Sequence, residues 1–361
     1  MKQINTGEAF PIFIIAEISG NHDGDITQAK EMIKSAAKIG ANAVKIQTYT
    51  ADTMTLNIDS SYFTADGNWK GQTLYELYQK AHTPWEWLPE LQKTAIENNI
   101  ILFSTPFDET AVDFLEKYNM SVYKISSYEF TDIPLLKKVA QTGKSIIAST
   151  GFDTEKEIDL SIKTLKNNGA KDITILYCLT SYSNENKENC NLATMLDIKE
   201  KFKVKIGLSE NSGSIEVVEA ACLLGASTIE KHFVLEHNKK HIDDPFSLDI
   251  KEFENMIKTI RKNESIKNKN GLVKKIKSGP LFGKVLYGPK NENEKKFAGF
   301  RRVIVASKNI QKNEEITEKN IKCVRTNHAP GLPTKFYEKI LKKKASQDIP
   351  FGTPIKEKFI I

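Results

Sequence analysis

Eight short runs rich in β-branched residues recur along the first two-thirds of this chain, and amphipathic stretches separate them. That alternation constrains the fold more than any other feature. The runs are "FIIAEIS" 13–19, "AVKIQT" 43–48, "IILFST" 100–105, "VYKISS" 122–127, "SIIAST" 145–150, "ITILYC" 173–178, "VKIGLS" 204–209 and "STIEKHF" 227–233. Helical periodicity is plain in "ITQAKEMIKSAAKIG" 26–40 and "DLSIKTLKNNG" 159–169. Three exits, "IGANAVKI", "NGAKDITIL" and "LGASTIEKH", set Gly-Ala between helix and strand, as a glycine helix stop requires. Alternating strands and helices predict an α/β fold with a parallel sheet. Eight units in series predict a closed (β/α)8 TIM barrel over residues 1–265 rather than an open sheet.

Residues 266–300 break the pattern: they are charged, contain Gly and Pro, and read as a linker. Strand character returns at "RRVIVASKNI", which predicts a small β-rich domain over 301–361. Residues 262–361 hold 24 Lys and Arg against 9 Asp and Glu, an excess that raises the question of nucleic acid. The lysines are scattered, with few aromatics to stack on bases, so a solvated basic surface is the reading and no nucleic-acid partner is expected. Cys178, Cys190, Cys222 and Cys323 form no CxxC pair, which suits a reducing compartment. There is no apolar run of membrane-spanning length, and the apolar run of "MKQINTGEAFPIFIIAEIS" is short and ends in a glutamate. A cytoplasmic protein without a membrane partner is expected.

The chemistry lies in the polar residues of the strands. Alternate residues of a barrel strand face the interior and the outer helices. In "AVKIQT", Lys45 and Gln47 share a face opposite Val44 and Ile46; in "VYKISS", Lys124 and Ser126 face inward; in "STIEKHF", Glu230 and His232 share a face. These groups fall late in their strands, at the end where barrel active sites form. An unpaired buried charge is costly, so these groups are either a paired Lys–Glu network that plugs the barrel or the lining of an anion-binding mouth; two inward lysines, with Glu17 and Glu129 among polar groups at five strand ends, favour the mouth.

At these residues the chain resembles the nonulosonic (sialic) acid synthases, through "FIIAEISGNHDGD", "AVKIQTYTADTM", "FSTPFD", "YKISSYE", "IIASTG", "IGLSENS" and "IEKHF". The stretches "QTYTADTMTL", "WKGQTLYELYQKAHTPWEW" and "FSTPFDETAVDFLE" are similar to the pseudaminic acid synthases within that family, and the tail is similar to its antifreeze-like (SAF) domain. The resemblance implies a transferase that condenses phosphoenolpyruvate with the open-chain aldehyde of an N-acetylated amino sugar. Water adds at C2 of phosphoenolpyruvate, and phosphate leaves by C–O cleavage. For the pseudaminic acid branch the sugar is 6-deoxy-2,4-diacetamido altrose; legionaminic or N-acetylneuraminic acid synthesis are the sister readings.

Residue by residue, the resemblance assigns phosphoenolpyruvate to Lys45 and Lys124, with Gln47, Thr105, Ser127, Ser149 and Ser209 as nearby donors. It implies catalytic carboxylates at Glu17, Glu129 and Asp243, with Glu129 positioning or deprotonating the water. Tyr182 is implied at the sugar. A divalent metal, manganese or magnesium, is implied at His232 and Asn211. Arg325 is implied to reach the sugar's N-acetyl group from the partner subunit of a homodimer with swapped C-terminal domains.

Two departures stand out. The family commonly reads GLSDH where this chain has "GLSEN", so Asn211 replaces a metal histidine; its carbonyl suits a hard cation but is a neutral, weaker donor. The loop after Arg325, "RTNHAPGL", is two residues longer than usual. Two rival readings use the same residues: a Schiff-base aldolase on Lys45 or Lys124, and a non-catalytic binder whose metal site is impaired. Trp69, Tyr75, Tyr78, Trp85 and Trp87 offer an apolar stripe that suits either a deoxy sugar or packing on the barrel exterior.

Overall fold

Each of the eight runs forms a strand, with ends within two residues of those read from the sequence: β1 (Phe13–Glu17), β2 (Ala43–Thr48), β3 (Ile101–Pro106), β4 (Val122–Ile125), β5 (Ser145–Thr150), β6 (Ile173–Leu179), β7 (Lys205–Glu210) and β8 (Thr228–His232). In this computed structural model, which describes residues 11–180, 190–211, 213–238 and 241–361, they pair in parallel and close into a barrel, β8 returning to β1. The register sets the site. Glu17 lies opposite Lys45 on one side and His232 on the other, and Ser209 lies opposite Glu230.

The helices of this part are α1 (Ile26–Lys38), α2 (Ala51–Met54), α3 (Leu74–Ala81), α4 (Leu88–Glu97), α5 (Glu109–Glu116), α6 (Ile133–Gln141), α7 (Glu155–Asn167), α8 (Leu192–Phe202), α9 (Ile215–Leu223) and α10 (Ile250–Glu264). In the segment after β2, α2 and α3 pack in a cluster of their own with Tyr49 and Phe107, and the others form the outer layer. Local chemistry fixes their ends. Asp25 caps α1 by accepting from the Thr27 N–H at 2.7 Å, and Thr154 with Glu157 forms a capping box on α7. The three Gly-Ala exits hold Gly40, Gly169 and Gly225 at φ of +95°, +109° and +96°, a region that side chains resist. In α1 the buried Ala29, Met32, Ile33 and Ala36 make one stripe against the barrel. No helix among the described residues is long and apolar enough to cross a membrane.

The stretch 266–300, which the sequence suggests is a linker, carries α11 (Asn270–Lys277) and α12 (Glu292–Ala298) and runs across the barrel's own rim. The Leu281 and Phe282 carbonyls accept from Leu192 N and Ala193 N, Asp153 O accepts from Gly288 N, and Lys290 donates to Gly151 O at 2.7 Å. Its lysines obscured this: the Lys290 side chain is buried, paired with Glu294 at 3.2 Å, where composition alone suggests solvent.

The small domain holds the antiparallel pair β9 (Arg302–Ala306) and β10 (Ile321–Arg325), a short α13 (Tyr337–Ile340), and an isoleucine-rich core. It docks on its own chain's barrel. Val305 and Val324 pack with Leu56 and Phe63 from the segment after β2, Thr55 Oγ1 donates to Arg325 O at 3.0 Å, and Asn327 N donates to Tyr62 O at 2.7 Å. The deepest contact is ionic. Arg302 lies 3.2 Å from Glu129 and 3.8 Å from Asp132, and it donates to the Thr53 and Cys323 carbonyls.

Asp132 carries a testable consequence. Its carboxyl is fully enclosed and Oδ1 has no hydrogen-bond partner; burial pushes its pKa up to about 7, against the pull of Arg302 and with a further push from Glu129. Between about pH 4 and 7 the folded chain therefore holds a proton that the unfolded chain has lost, so ionising Asp132 above pH 7 opposes folding. Asp132→Asn is expected to exceed the parent's stability at pH 8 by on the order of 2–4 kcal/mol. In urea titrations the gap should shrink as pH falls from 7 to 4; a gap independent of pH contradicts this.

Candidate active site at the barrel mouth

The site is built outward from one ion pair. Lys45 and Glu17, opposite each other on β2 and β1, point into the barrel and make direct contact, both buried. Lys45 Nζ also donates to Thr105 Oγ1 at 2.9 Å. Across the interior, Lys124 donates to Ser149 Oγ at 2.6 Å and to Ile125 O at 3.0 Å. Glu230 on β8 stands between the two lysines, with Oε1 3.7 Å from each ammonium and Oε2 without a hydrogen-bond partner. At that distance Glu230 attracts the lysines without bonding to them.

Environment divides the two lysines. Burial opposes charge on Lys45, but Glu17 and Glu230 outweigh it and raise its pKa. Burial dominates at Lys124 and, with Lys45 nearby, lowers its pKa despite Glu230. Burial raises the Glu17 carboxyl against the pull of Lys45.

The charges floor a cavity of about 340 Å³, within the range of small-molecule sites. Gln47, Ser127, Ser149, Ser209, Asn211, His232, Asp243 and Arg325 all line it. Gln47 is already committed, donating to Ser19 Oγ at 2.7 Å and to Glu17 at 3.2 Å. Thr105 does not reach the cavity; its hydroxyl takes Lys45 instead. Tyr182 lies outside the described residues.

Opposite the lysines stands a second polar group. His232 Nδ1 is buried without a hydrogen-bond partner, 3.9 Å from Asp243 Oδ2. Burial, then Lys45, Lys231 and Lys124, hold His232 well below its ordinary pKa, so the imidazole is neutral and able to ligate. Asp243 accepts from Ser19 and the Gly20 N–H, and burial pushes its pKa up to about 6. Asn211 spends its amide N–H on Cys178 Sγ at 3.7 Å. A neutral imidazole, a carboxylate and an amide facing one cavity fit a hard divalent cation. The acid beside Asn211 belongs elsewhere: Glu210 pairs with Lys231.

Glu129 departs most from expectation. It does not line the cavity; it is wholly buried under the small domain and accepts from Arg325 at 2.8 and 2.7 Å, from Arg302 at 3.2 Å and from Ser126. Although burial favours protonation, Arg325 and then Arg302 hold it below the usual carboxylate range. With both oxygens engaged by guanidinium groups, it fits a domain latch better than a base that takes a proton from water. Arg325 is at the mouth as expected, 4.4 Å from the Tyr128 ring and 5.2 Å from that of Phe107, but it meets the barrel of its own chain.

Of the aromatic stripe, Trp69 and Tyr78 line the cavity. Trp85 stacks on Phe114, Trp87 meets His22 edge-on, and Tyr75 reaches Asp52. Three features of the site went unassigned from sequence. Glu230 was legible from its alternation with His232. Ser19 closes the run read as a strand, two residues after Glu17, but the chain turns there, with φ of +41°. Phe297 and Phe300 join the wall from the stretch read as a linker.

A closed barrel whose mouth carries buried lysines and a neutral imidazole, capped by a small arginine-bearing domain, gathers in one cavity the kinds of group an enzyme active site uses. Residues 32–271 match the NeuB family and residues 301–361 match the SAF domain, and this chain belongs to the NeuB family. It is 39% identical over 349 residues to the pseudaminic acid synthase of Campylobacter jejuni and 39% over 347 residues to that of Helicobacter pylori, with 96% of each chain covered. The crystal structure of the spore coat polysaccharide biosynthesis protein SpsE from Bacillus subtilis superposes with a TM-score of 0.84 at 32% identity, covering 100% of this chain and 99% of the other.

Removing one member of a buried ion pair leaves the other uncompensated, at about 3–5 kcal/mol. Lys45→Met is expected to lose that much in denaturant unfolding, and Glu17→Gln/Lys45→Met to recover most of it. Equal losses in both variants would show that the pair contributes little.

Proposed function

We propose that this enzyme condenses phosphoenolpyruvate with 6-deoxy-2,4-diacetamido altrose to give pseudaminic acid and phosphate. One observation carries the reading: two buried lysines and a neutral histidine whose Nδ1 has no hydrogen-bond partner share one cavity, in a chain 39% identical to pseudaminic acid synthases over nearly its whole length. The lysines receive the phosphate and carboxylate, and Glu230, bonded to neither, gives way to the anion. Ser127, Ser149 and Ser209 add hydrogen bonds.

The C2=C3 π pair of phosphoenolpyruvate forms the bond from C3 to the aldehyde carbon of the sugar, the aldehyde C=O π bond opens, and its oxygen takes up a proton to become a hydroxyl. Water adds at C2, the C2–O bond to phosphorus-bound oxygen breaks, phosphate departs with that electron pair, and C2 becomes the keto carbon as its hydroxyl loses its proton. Glu230 takes the water's proton in this reading, which its unpaired Oε2 supports. Asp243 orients the sugar, and Arg325, with its π-faced surroundings, meets an N-acyl group. A divalent cation held by His232 and Asn211 supplies electrophilic pull on the aldehyde oxygen when bound.

The test is phosphate release from phosphoenolpyruvate with the altro sugar, the legionaminic precursor or N-acetylmannosamine, each with Mn²⁺, Mg²⁺ or a chelator. Turnover with the altro sugar alone, abolished by chelator, is expected. Turnover with another sugar moves the chain to a sister activity, and tight phosphoenolpyruvate binding without phosphate release under any condition makes it a binder. Lys124→Met is expected to lower kcat/KM for phosphoenolpyruvate at least about 100-fold.

The homodimer implied by the resemblance has a separate test. Exchanged small domains would make the contacts of Arg325 between chains, whereas here they are made within one. Co-refolded Lys124→Met and Arg325→Ala chains regain activity only if the domains exchange; own-chain docking predicts no recovery.

A further inference from the structure

The turn between β1 and α1, "SGNHDG", contributes no side chain assigned so far to the reaction, yet one of its residues is hydrogen-bonded like a structural pin. Asn21 is 1% exposed. Its Oδ1 accepts from the Asp243 N–H at 3.1 Å, and its Nδ2 donates to Phe233 O at 3.1 Å and to Ser247 Oγ at 3.0 Å. Ser247 Oγ in turn donates to the Asp243 carbonyl at 2.7 Å. One side-chain amide thus holds the backbone on both sides of Asp243 and ties it to the residue that follows His232.

The turn itself is rigidly placed. Ser19 and Asp23 adopt φ of +41° and +51°, and a Cβ added at Gly20 would stand 3.2 Å from Ala81 O, so the backbone passes close against the end of α3. His22 anchors it outward: Nδ1 accepts from Gly24 N at 3.1 Å, Nε2 bonds Thr83 Oγ1 at 3.0 Å, and the ring packs on Trp87. Position set by α3 and α4 is thereby carried through Asn21 to the loop after β8.

We infer that Asn21 is a positioning residue for the acceptor-sugar half of the site: it fixes the Asp243 carboxylate beside His232, while leaving the lysine half untouched. The inference rests on the proposed reaction for its kinetic consequence, but not for its structural one. An aspartate of the same shape would keep the acceptor for Asp243 N and replace both donors by a carboxylate oxygen facing the Phe233 carbonyl and the Ser247 hydroxyl. The clamp would open on one side. Partners of this kind typically cost 10–100-fold when removed from a metal or catalytic site.

The experiment compares Asn21→Asp and Ser247→Ala with the parent by two readouts. In hydrogen exchange, the peptide 241–248 is expected to exchange at least about 10-fold faster in Asn21→Asp, with the β2 and β4 peptides unchanged. In kinetics, kcat should fall about 10–100-fold or the KM for the sugar rise by that factor, while phosphoenolpyruvate affinity by calorimetry stays within about twofold. Ser247→Ala should move both readouts in the same direction by less, which serves if Asn21→Asp fails to fold. Unchanged exchange in 241–248 overturns the inference. So does equal loss of phosphoenolpyruvate and sugar binding, which would mean general collapse of the mouth. If the parent turns over no sugar at all, the proposed reaction fails, and the exchange result still decides whether Asn21 holds Asp243.

Discussion

The contact between Lys45 and Glu17 is the constraint on which the rest of the site depends. Both groups lie inside a closed barrel, where neither could be kept charged alone. Barrel closure brings β8 beside β1, so the same glutamate stands opposite His232, and Glu230 falls between Lys45 and Lys124. The arrangement is uneven by construction. Lys45 is clamped by a carboxylate and a hydroxyl, whereas Lys124 has only neutral hydrogen-bond partners and a carboxylate 3.7 Å away. A protein that needed only stability would gain more from apolar residues at these positions. Loosely compensated charge in a cavity is what an anionic ligand requires.

A second ionic cluster performs a different task above the first. Glu129 and Asp132 receive Arg302, and Glu129 receives Arg325, so the small domain is fastened to the barrel by two arginines on one carboxylate. Arg325 therefore joins docking to the site: the guanidinium that lines the cavity is also the one that holds the cap. Trp69, Phe297 and Phe300 give the cavity a partly apolar wall above that charged floor.

Much of this was legible in the sequence because strand alternation has a fixed period of two. Lys45, Gln47, Lys124, Glu230 and His232 could be assigned to the interior by counting, and the three Gly-Ala exits marked where β2, β6 and β8 begin. What periodicity could not reach were residues placed by turns and by contacts distant in the chain. Glu129 lies just beyond a strand, and its partners are 173 and 196 residues away, so nothing local distinguished a water-side carboxylate from a latch. Thr105 was read as a ligand donor, but its hydroxyl is taken by the side chain of Lys45 from the neighbouring strand β2. Residues 266–300 looked like linker because their lysines hide how little is needed to pin a chain to a rim: a few backbone hydrogen bonds and the buried Lys290–Glu294 pair.

Lys124 is a buried, loosely compensated ammonium, while Lys45 is locked in a pair. Lysine-selective NMR on the metal-free protein, titrated in pH with and without phosphoenolpyruvate, tests it directly. Lys124 should titrate below the ordinary value of about 10.4 and move upward when phosphoenolpyruvate binds, with Lys45 above that value throughout. If both titrate with the surface lysines and neither responds to phosphoenolpyruvate, the floor of the barrel is not the anion site.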